Sequence, residues 1–170
     1  MRRPARRLLL AGAVALLAVL VLLQRRHERA QQPGPLLALD PAAITRIAVQ
    51  VSGGPLRRFV KRDGTWWMLS PQQGRADAAH LADLAAIAAA PVARWLPAGG
   101  FDPRQLGLDP PAATLTLDGT RLAFGTLAAL QPLRYIEVDG RVALVPDRFA
   151  PFLSMAPQLE LAAPAHTVSR

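Results

Sequence analysis

The segment ATLTLDGTRLAF, residues 113–124, predicts a β-hairpin at the centre of the fold. An Asp-Gly dipeptide stands between two strand-like runs, and both of its residues can adopt the positive φ of a two-residue hairpin turn. The resulting register gives one apolar and one polar face, as a half-buried hairpin requires. The predicted cross-strand pairs are Ala113 with Phe124, Leu115 with Leu122, and Thr116 with Arg121.

Two further Asp-Gly dipeptides stand between strand-like runs, in RRFVKRDGTWWML (57–69) and RYIEVDGRVALV (134–145). The second of these fits a three-residue loop that includes Arg141 and pairs Val138 with Val142. The first does not decide between a two-residue and a three-residue loop. Three hairpins are therefore expected, with turn residues Asp63, Gly64, Asp118, Gly119, Asp139 and Gly140.

One amphipathic helix is predicted in ADAAHLADLAAIAAA, residues 76–90. Asp77 is placed to cap its N-terminus, Pro91 ends it, and an apolar stripe from Leu81 to Ala88 can pack on a sheet. The other predicted elements are strands in 44–52 and 92–96 and a short helix in 147–155. Because strands and helices do not alternate regularly, the order predicts an α+β fold with mainly antiparallel strands.

The positive charge is concentrated at the N-terminus. Residues 1–30 carry seven arginines and one glutamate, which is +6 of the net charge of +8, and the other 140 residues carry 13 basic and 11 acidic side chains. A nearly balanced body argues against nucleic acid as a partner, since nucleic-acid-binding domains carry a basic stripe. The local cluster of Arg57, Arg58, Lys61 and Arg62 is interpreted as a solvated strand face.

Sixteen uncharged residues, 8–23, lie between the basic flanks of residues 1–29 and predict a transmembrane anchor. We expect an uncleaved anchor, because the small-residue motif of a signal-peptide cleavage site does not follow the apolar run; a cleaved signal is the alternative. The larger positive charge before the apolar run favours a cytoplasmic N-terminus. The sequence therefore predicts a single-pass protein of the bacterial inner membrane with a periplasmic domain.

Residues 30–43 contain three prolines and no clear period, and they are predicted to be a linker. The α+β domain is expected to span residues 44–158. Residues 159–170 lack an amphipathic pattern, which indicates a flexible tail.

The candidates for catalysis and metal binding are few. The chain has no cysteine, so thiol chemistry and disulfides are excluded. Asp77, His80 and Asp83 stand three apart on the predicted helix, but an N-cap with two solvated neighbours explains them better than a metal site. The remaining carboxylates that could meet are Asp102, Asp109, Asp118, Glu137 and Asp139, and most lie at turns. We expect no catalytic residues, no metal and no cofactor.

Aromatic residues are better candidates for contact with a partner or ligand. Trp66 and Trp67 are adjacent on a predicted strand, so they point to opposite faces, and one can fill the core while the other meets solvent. Arg134 and Tyr135 open another strand. Packing within the domain is the alternative for all four residues.

An ordered series of motifs resembles the bacterial envelope family known as domain of unknown function 4340. The series is DGTWWMLSP, ADAAHLADLAAI, FDPRQLGLDPPAATLTLDG, LAFG, LRYIEVDG and RVALV, and it covers about residues 44–145. Larger members of the family look like tandem or extended versions of this unit. The matching positions are Trp66 or Trp67, Pro71, Asp77, Gly107, Leu108, Asp109, Pro110 or Pro111, Gly125, Arg134 and Tyr135.

The resemblance implies a membrane-anchored extracytoplasmic domain, associated in some members with ABC-type transport systems, and it supplies no catalytic residues. The leading hypothesis is a non-catalytic, membrane-tethered module that binds or scaffolds a protein partner in the envelope. The alternatives are a domain that binds a small molecule, lipid or glycan, and a hydrolase that uses clustered carboxylates. The segment around Gly107, Asp109, Pro110 and Pro111 is predicted to be a structural turn and not a ligand site.

Overall fold

An antiparallel sheet of nine strands forms the frame of the described chain. The structure is a computed structural model that describes residues 34–97, 99–154 and 160–161. The strands are β1 Arg46–Val51, β2 Arg57–Arg62, β3 Thr65–Ser70, β4 Gly74–Arg75, β5 Arg94–Trp95, β6 Ala113–Leu117, β7 Thr120–Leu127, β8 Leu133–Val138 and β9 Arg141–Pro146. They lie side by side in the order β4-β3-β2-β1-β6-β7-β8-β9-β5.

Two α-helices belong to the same folded unit, α1 at Ala78–Ala86 and α2 at Ala150–Leu153. Helix α1 continues into the 3₁₀ turn Ile87–Ala89, and the 3₁₀ turn Asp147–Phe149 leads into α2. A third 3₁₀ turn, Pro41–Ala43, precedes β1. The predicted α+β class with mainly antiparallel strands is confirmed.

The hairpin of residues 113–124 has the register that its sequence predicts. Leu115 pairs with Leu122 and Thr116 with Arg121 across the turn between β6 and β7. All three Asp-Gly dipeptides form turns in which both residues have positive φ. The hairpin β2–β3, which the sequence left undecided, therefore also has a two-residue loop, with Arg62 opposite Thr65.

The predicted register of the hairpin β8–β9 is wrong by one residue. Val138 pairs with Arg141 instead of Val142, because the loop has two residues and not three. Strand β9 is buried on both faces over 142–145. An unbroken apolar run lacks the alternation that distinguishes one register from the next, so the strand pattern could not fix it.

The main core lies between α1 and one face of the sheet. Ile47 and Val49 of β1, and Leu81 and Leu84 of α1, are fully buried within it. The inward positions alternate along β1 as the sequence pattern of 44–52 predicts. This inner face of the sheet is therefore covered.

A second, smaller cluster covers the opposite, outer face of the sheet at β7, β8 and β9. Leu108 packs there on Ala123 and Val142, and Tyr135 borders the cluster. The connection between β5 and β6 supplies Leu108, so this long loop explains why β9 is buried on both faces. The outer face of β1 to β4 has no such cover among the described residues.

The folded unit begins before the predicted domain boundary. Leu36 and Leu37 are buried in the core, and their amides donate to Ala90 O and Ala88 O, both at 2.9 Å. Residues 34–43 of the predicted linker thus belong to the fold. Glu160, within the predicted tail, is also fully buried.

The predicted anchor, with its apolar residues 8–23, lies outside the described residues. Across the described ranges, every helix is too short or too polar to pass through a lipid bilayer.

Candidate functional site

A cluster of three ionisable side chains is buried where β2, α1 and residue 160 meet. Arg57 Nη1 donates to Glu160 Oε1, and Arg57 Nη2 donates to the carbonyl oxygen of Leu153. His80 Nε2 lies 3.2 Å from the same Glu160 oxygen. Arg57, His80 and Glu160 are exposed by only 3%, 4% and 0%, so the cluster is closed to solvent.

Two backbone contacts bring Glu160 to this position. The amide of Asp77 donates to the Glu160 carbonyl oxygen at 2.8 Å, and a short antiparallel bridge pairs Ala76 with Leu161. Leu161 lies over Gly74 in β4, where its Cδ2 would be 3.1 Å from a Cβ. Residues 160 and 161 are thus fixed to the edge of the sheet and to the start of α1.

Electrostatics gives this cluster a structural role. Burial lowers the pKa of Arg57, and the neighbouring charge of Glu160 partly opposes that decrease. Within the described residues, Glu160 Oε2 has no hydrogen-bond partner. A buried ion pair of this kind holds its partners in one arrangement, and losing either partner removes the opposite charge that offsets desolvation of the other. Two predictions are corrected here, because Arg57 does not lie on a solvated face and His80 is not a solvated helix residue.

The three helix residues considered for metal binding do not converge. Asp77 accepts from the Ala79 amide at 2.8 Å and from the His80 amide at 3.4 Å, which makes it the N-cap of α1. His80 points inward to Glu160, and Asp83 is exposed. Among the residues with described placement, no group of three His, Asp or Glu side chains could hold a metal ion.

Most of the other carboxylates support turns. Asp102 accepts from the amide of Arg104 at 3.0 Å, and Asp118 Oδ1 accepts from the amide of Arg46 at 2.8 Å. Glu137 and Asp139 do line one shallow hollow of about 190 Å³, together with Arg121, Leu108 and Ala123. That hollow places one guanidinium beside two carboxylates, a formal net charge of −1.

Arg134 and Tyr135 contact other parts of the domain. Arg134 Nε donates to Asp147 Oδ1, and its Nη1 donates to the Gly125 carbonyl oxygen at 2.6 Å. Tyr135 borders the small cluster around Leu108. These two candidates therefore have packing roles in the described structure.

The two adjacent tryptophans lie on opposite faces of β3. Trp66 is 6% exposed and belongs to the main core, whereas Trp67 is 41% exposed on the outer face. Leu69, two residues further on, is also 41% exposed. Of the predicted contact residues, Trp67 is the most exposed.

Trp67 belongs to an open surface, which we call the arginine face, made by outward side chains of β1 to β4. Alternation along the strands places these side chains on the side of the sheet opposite α1. Its four arginines are all exposed, and small or apolar residues lie between them. The arginine face comprises Arg46, Ala48, Arg58, Val60, Arg62, Trp67, Leu69 and Arg75.

A hollow of about 360 Å³ lies on the arginine face above Ala48. Ala48 pairs with Arg58 on one side and with Thr116 on the other, so a methyl group forms its floor. Arg46 and Leu69 also line the hollow. It combines two guanidinium groups with apolar walls.

A larger hollow of about 460 Å³ lies near the opposite end of the sheet. It is lined by Arg94, Leu130, Tyr135 and Leu144 with small residues and a glutamine. Neither Trp66 nor Trp67 contributes to it. This hollow therefore gives no role to the two tryptophans that were predicted as contact residues.

The glycines of the family-like motifs have structural roles. Gly107 has φ of 66°, and a Cβ there would lie 2.6 Å from Thr126 Cγ2. A Cβ on Gly125 would lie 2.2 Å from the carbonyl oxygen of Leu106. These glycines let the loop before β6 cross closely over β7, as expected for a structural turn.

No family model matches the chain, and neither curated proteins nor solved structures give a match to it. The resemblance to domain of unknown function 4340 thus stays a prediction from the sequence motifs. The surfaces of the folded unit are therefore the observations that bear on function.

Proposed function

We propose that this protein is a non-catalytic, membrane-tethered module of the bacterial envelope that binds or scaffolds a partner. In this proposal an N-terminal anchor crosses the inner membrane, the N-terminus is cytoplasmic and the folded domain is periplasmic. An accessory role in an ABC-type transport system follows from the sequence resemblance alone.

The open arginine face is the observation that supports binding. One side of the sheet is covered by α1, and the outer side is covered only at β7 to β9 within the described chain. Trp67 and Leu69 stay exposed among arginines on the uncovered part. Exposed aromatic and arginine side chains are enriched where proteins contact partners.

Membrane fractionation tests the tether. The full-length chain should stay with the membrane after a high-salt wash, which removes proteins held by charge alone. Recovery of a shortened, soluble form would contradict the uncleaved anchor.

Cysteine labelling tests the orientation of the domain. Because the chain has no cysteine, an introduced cysteine is its single thiol. Leu130 is 95% exposed, so Leu130→Cys provides one accessible thiol. In intact spheroplasts a membrane-impermeant maleimide should label this variant. Labelling only after lysis would place the domain in the cytoplasm.

Site-specific photocrosslinking tests the partner-binding role. A photoreactive amino acid at Trp67 should give a discrete adduct with its partner in whole cells, and the same group at Leu130 should not. Equal adducts from both positions, or none from either, would count against a partner on the arginine face.

A further inference from the structure

The arginine face has a regular geometry that follows from strand register. Val60 lies opposite Trp67, Arg46 lies opposite Val60, and Arg75 lies opposite Trp67. An arginine therefore stands at each end of a row whose centre is apolar. With neighbouring strands about 4.8 Å apart, the row spans about 14 Å between the Cα atoms of its two arginines.

Two further arginines lie before and after Val60 along strand β2. Arg58 and Arg62 are two residues before and after Val60 on β2, about 7 Å away along the strand. Val60 therefore has an arginine on either side along β2, and the cross-strand row through Val60 and Trp67 ends in an arginine on either side. The positive charge spreads over an area instead of following a line.

These charges are scarcely neutralised by the domain itself. Arg46 is 3.9 Å from Asp118, and its side chain is still 73% exposed. Among the described residues, Arg58, Arg62 and Arg75 have no carboxylate within ion-pair distance. The described part of the domain therefore presents an exposed positive surface with few neighbouring carboxylates, although its overall charge is nearly balanced.

The apolar centre indicates which anionic surface fits. Tryptophan is enriched at membrane–water interfaces, and arginine attracts the headgroups of anionic lipids. Trp67 and Leu69 are adjacent on the exposed side of β3, and the hollow above Ala48 lies between Arg46 and Arg58. An extended acidic peptide would use charges along one line, whereas a lipid surface meets all four arginines at once.

We propose that the arginine face docks on the surface of a bilayer that contains anionic phospholipid. Headgroup phosphates bind between the guanidinium groups, one of them at the hollow above Ala48, and Trp67 and Leu69 enter the interfacial region. This inference rests on the proposed function, because the anchor would hold the domain at the bilayer. Docking then fixes which side of the domain remains available to a protein partner.

The test uses the full-length chain in vesicles of phosphatidylcholine, with and without phosphatidylglycerol. Acrylamide quenching of tryptophan fluorescence is compared between the parent chain and Trp67→Phe, because the difference isolates Trp67 from the buried Trp66 and the half-buried Trp95. Phosphatidylglycerol should reduce quenching, and high salt should restore it. Free glycerol phosphate at the same phosphate concentration should leave quenching unchanged, which separates a lipid surface from a soluble phosphate.

A charge-matched pair of variants isolates the arginine face. Each arginine near an anionic bilayer contributes about fivefold to binding, so Arg58→Gln/Arg62→Gln should weaken docking about 25-fold. Arg104→Gln/Arg148→Gln removes the same charge from exposed positions elsewhere and should behave like the parent chain. Equal weakening by both pairs would overturn the specific role of this face.

Vesicle flotation distinguishes failure of docking from failure of the tether. A chain that floats with the vesicles but shows the same Trp67 quenching in both lipid mixtures overturns the docking proposal and leaves the proposed function standing. A chain that does not float with either mixture contradicts the tether itself, and the docking proposal with it.

Discussion

His80 Nε2 and Glu160 Oε1 lie 3.2 Å apart, although the two residues are separated by 80 positions in the chain. Arg57 binds the same carboxylate from β2, so one oxygen joins a strand, a helix and residue 160. None of these three side chains is accessible enough to act on a solvent-borne substrate. The cluster therefore positions residues 160–161, and its contribution to the stability of the domain can be tested by substitution.

Glu160→Gln should destabilise the domain strongly. Removing one partner of a buried ion pair costs about 3–5 kcal/mol, because Arg57 stays desolvated and loses the opposite charge of Glu160. Urea unfolding can be followed by tryptophan fluorescence, because all three tryptophans lie in the folded unit. Asp83→Asn removes an exposed carboxylate from α1 and should change stability by less than about 0.5 kcal/mol. Similar stability for Glu160→Gln and the parent would mean that the pair contributes little.

The double variant Arg57→Met/Glu160→Gln should be more stable than Glu160→Gln alone. Burial lowers the pKa of Arg57 below its usual value. In Glu160→Gln the buried guanidinium keeps this desolvation cost and loses the opposite charge of Glu160, whereas methionine has no charge to desolvate. The glutamine amide introduced at position 160 can still bind His80. If the double variant is less stable than Glu160→Gln, desolvation of the Arg57 charge is not what destabilises the single variant.

Local turn chemistry and strand alternation could be predicted from the sequence. Asp118 and Gly119 define a two-residue turn by themselves, and alternation about Phe59 would also have placed Arg57 on the inner face. The apolar pattern of β9 favoured a register one residue off, since both of its faces are buried, whereas the two-residue turn at Asp139 and Gly140 gives the observed one. Glu160 could not be found either, because two residues at a short bridge carry no periodic signal.

The arginine face could likewise be predicted only in part from the sequence. The sequence indicated that one of Trp66 and Trp67 is exposed, but it did not show that Arg46 and Arg75 lie on the same surface as Trp67. That arrangement depends on β1 and β4 lying on either side of the β2–β3 hairpin. Such long-range strand pairing leaves no local pattern in the sequence.

Gly125→Ala should lower the thermal midpoint of the domain. Its Cβ would lie 2.2 Å from the carbonyl oxygen of Leu106, so the loop or β7 must shift, at a cost of about 1–3 kcal/mol. For a chain of this size that corresponds to a decrease of roughly 2–12 °C. Gly34→Ala is the matched control, because a Cβ there has no atom within 4 Å and the midpoint should not fall. Equal midpoints for both variants would show that the close approach of the loop to Gly125 is not required.

Truncating the two adjacent tryptophans of β3 should lower the stability of the domain by different amounts. Trp66→Ala removes a core side chain and should lower the free energy of unfolding by about 3–5 kcal/mol. Trp67→Ala removes cross-strand contacts such as the one with Val60 and should lower it by about 1 kcal/mol or less. Urea unfolding monitored by circular dichroism avoids the loss of a fluorophore in either variant. Trp66→Phe should recover part of the lost stability, since it refills much of the cavity. If Trp67→Ala is as destabilising as Trp66→Ala, Trp67 is needed for folding, and its exposure on the arginine face is no evidence of a binding role.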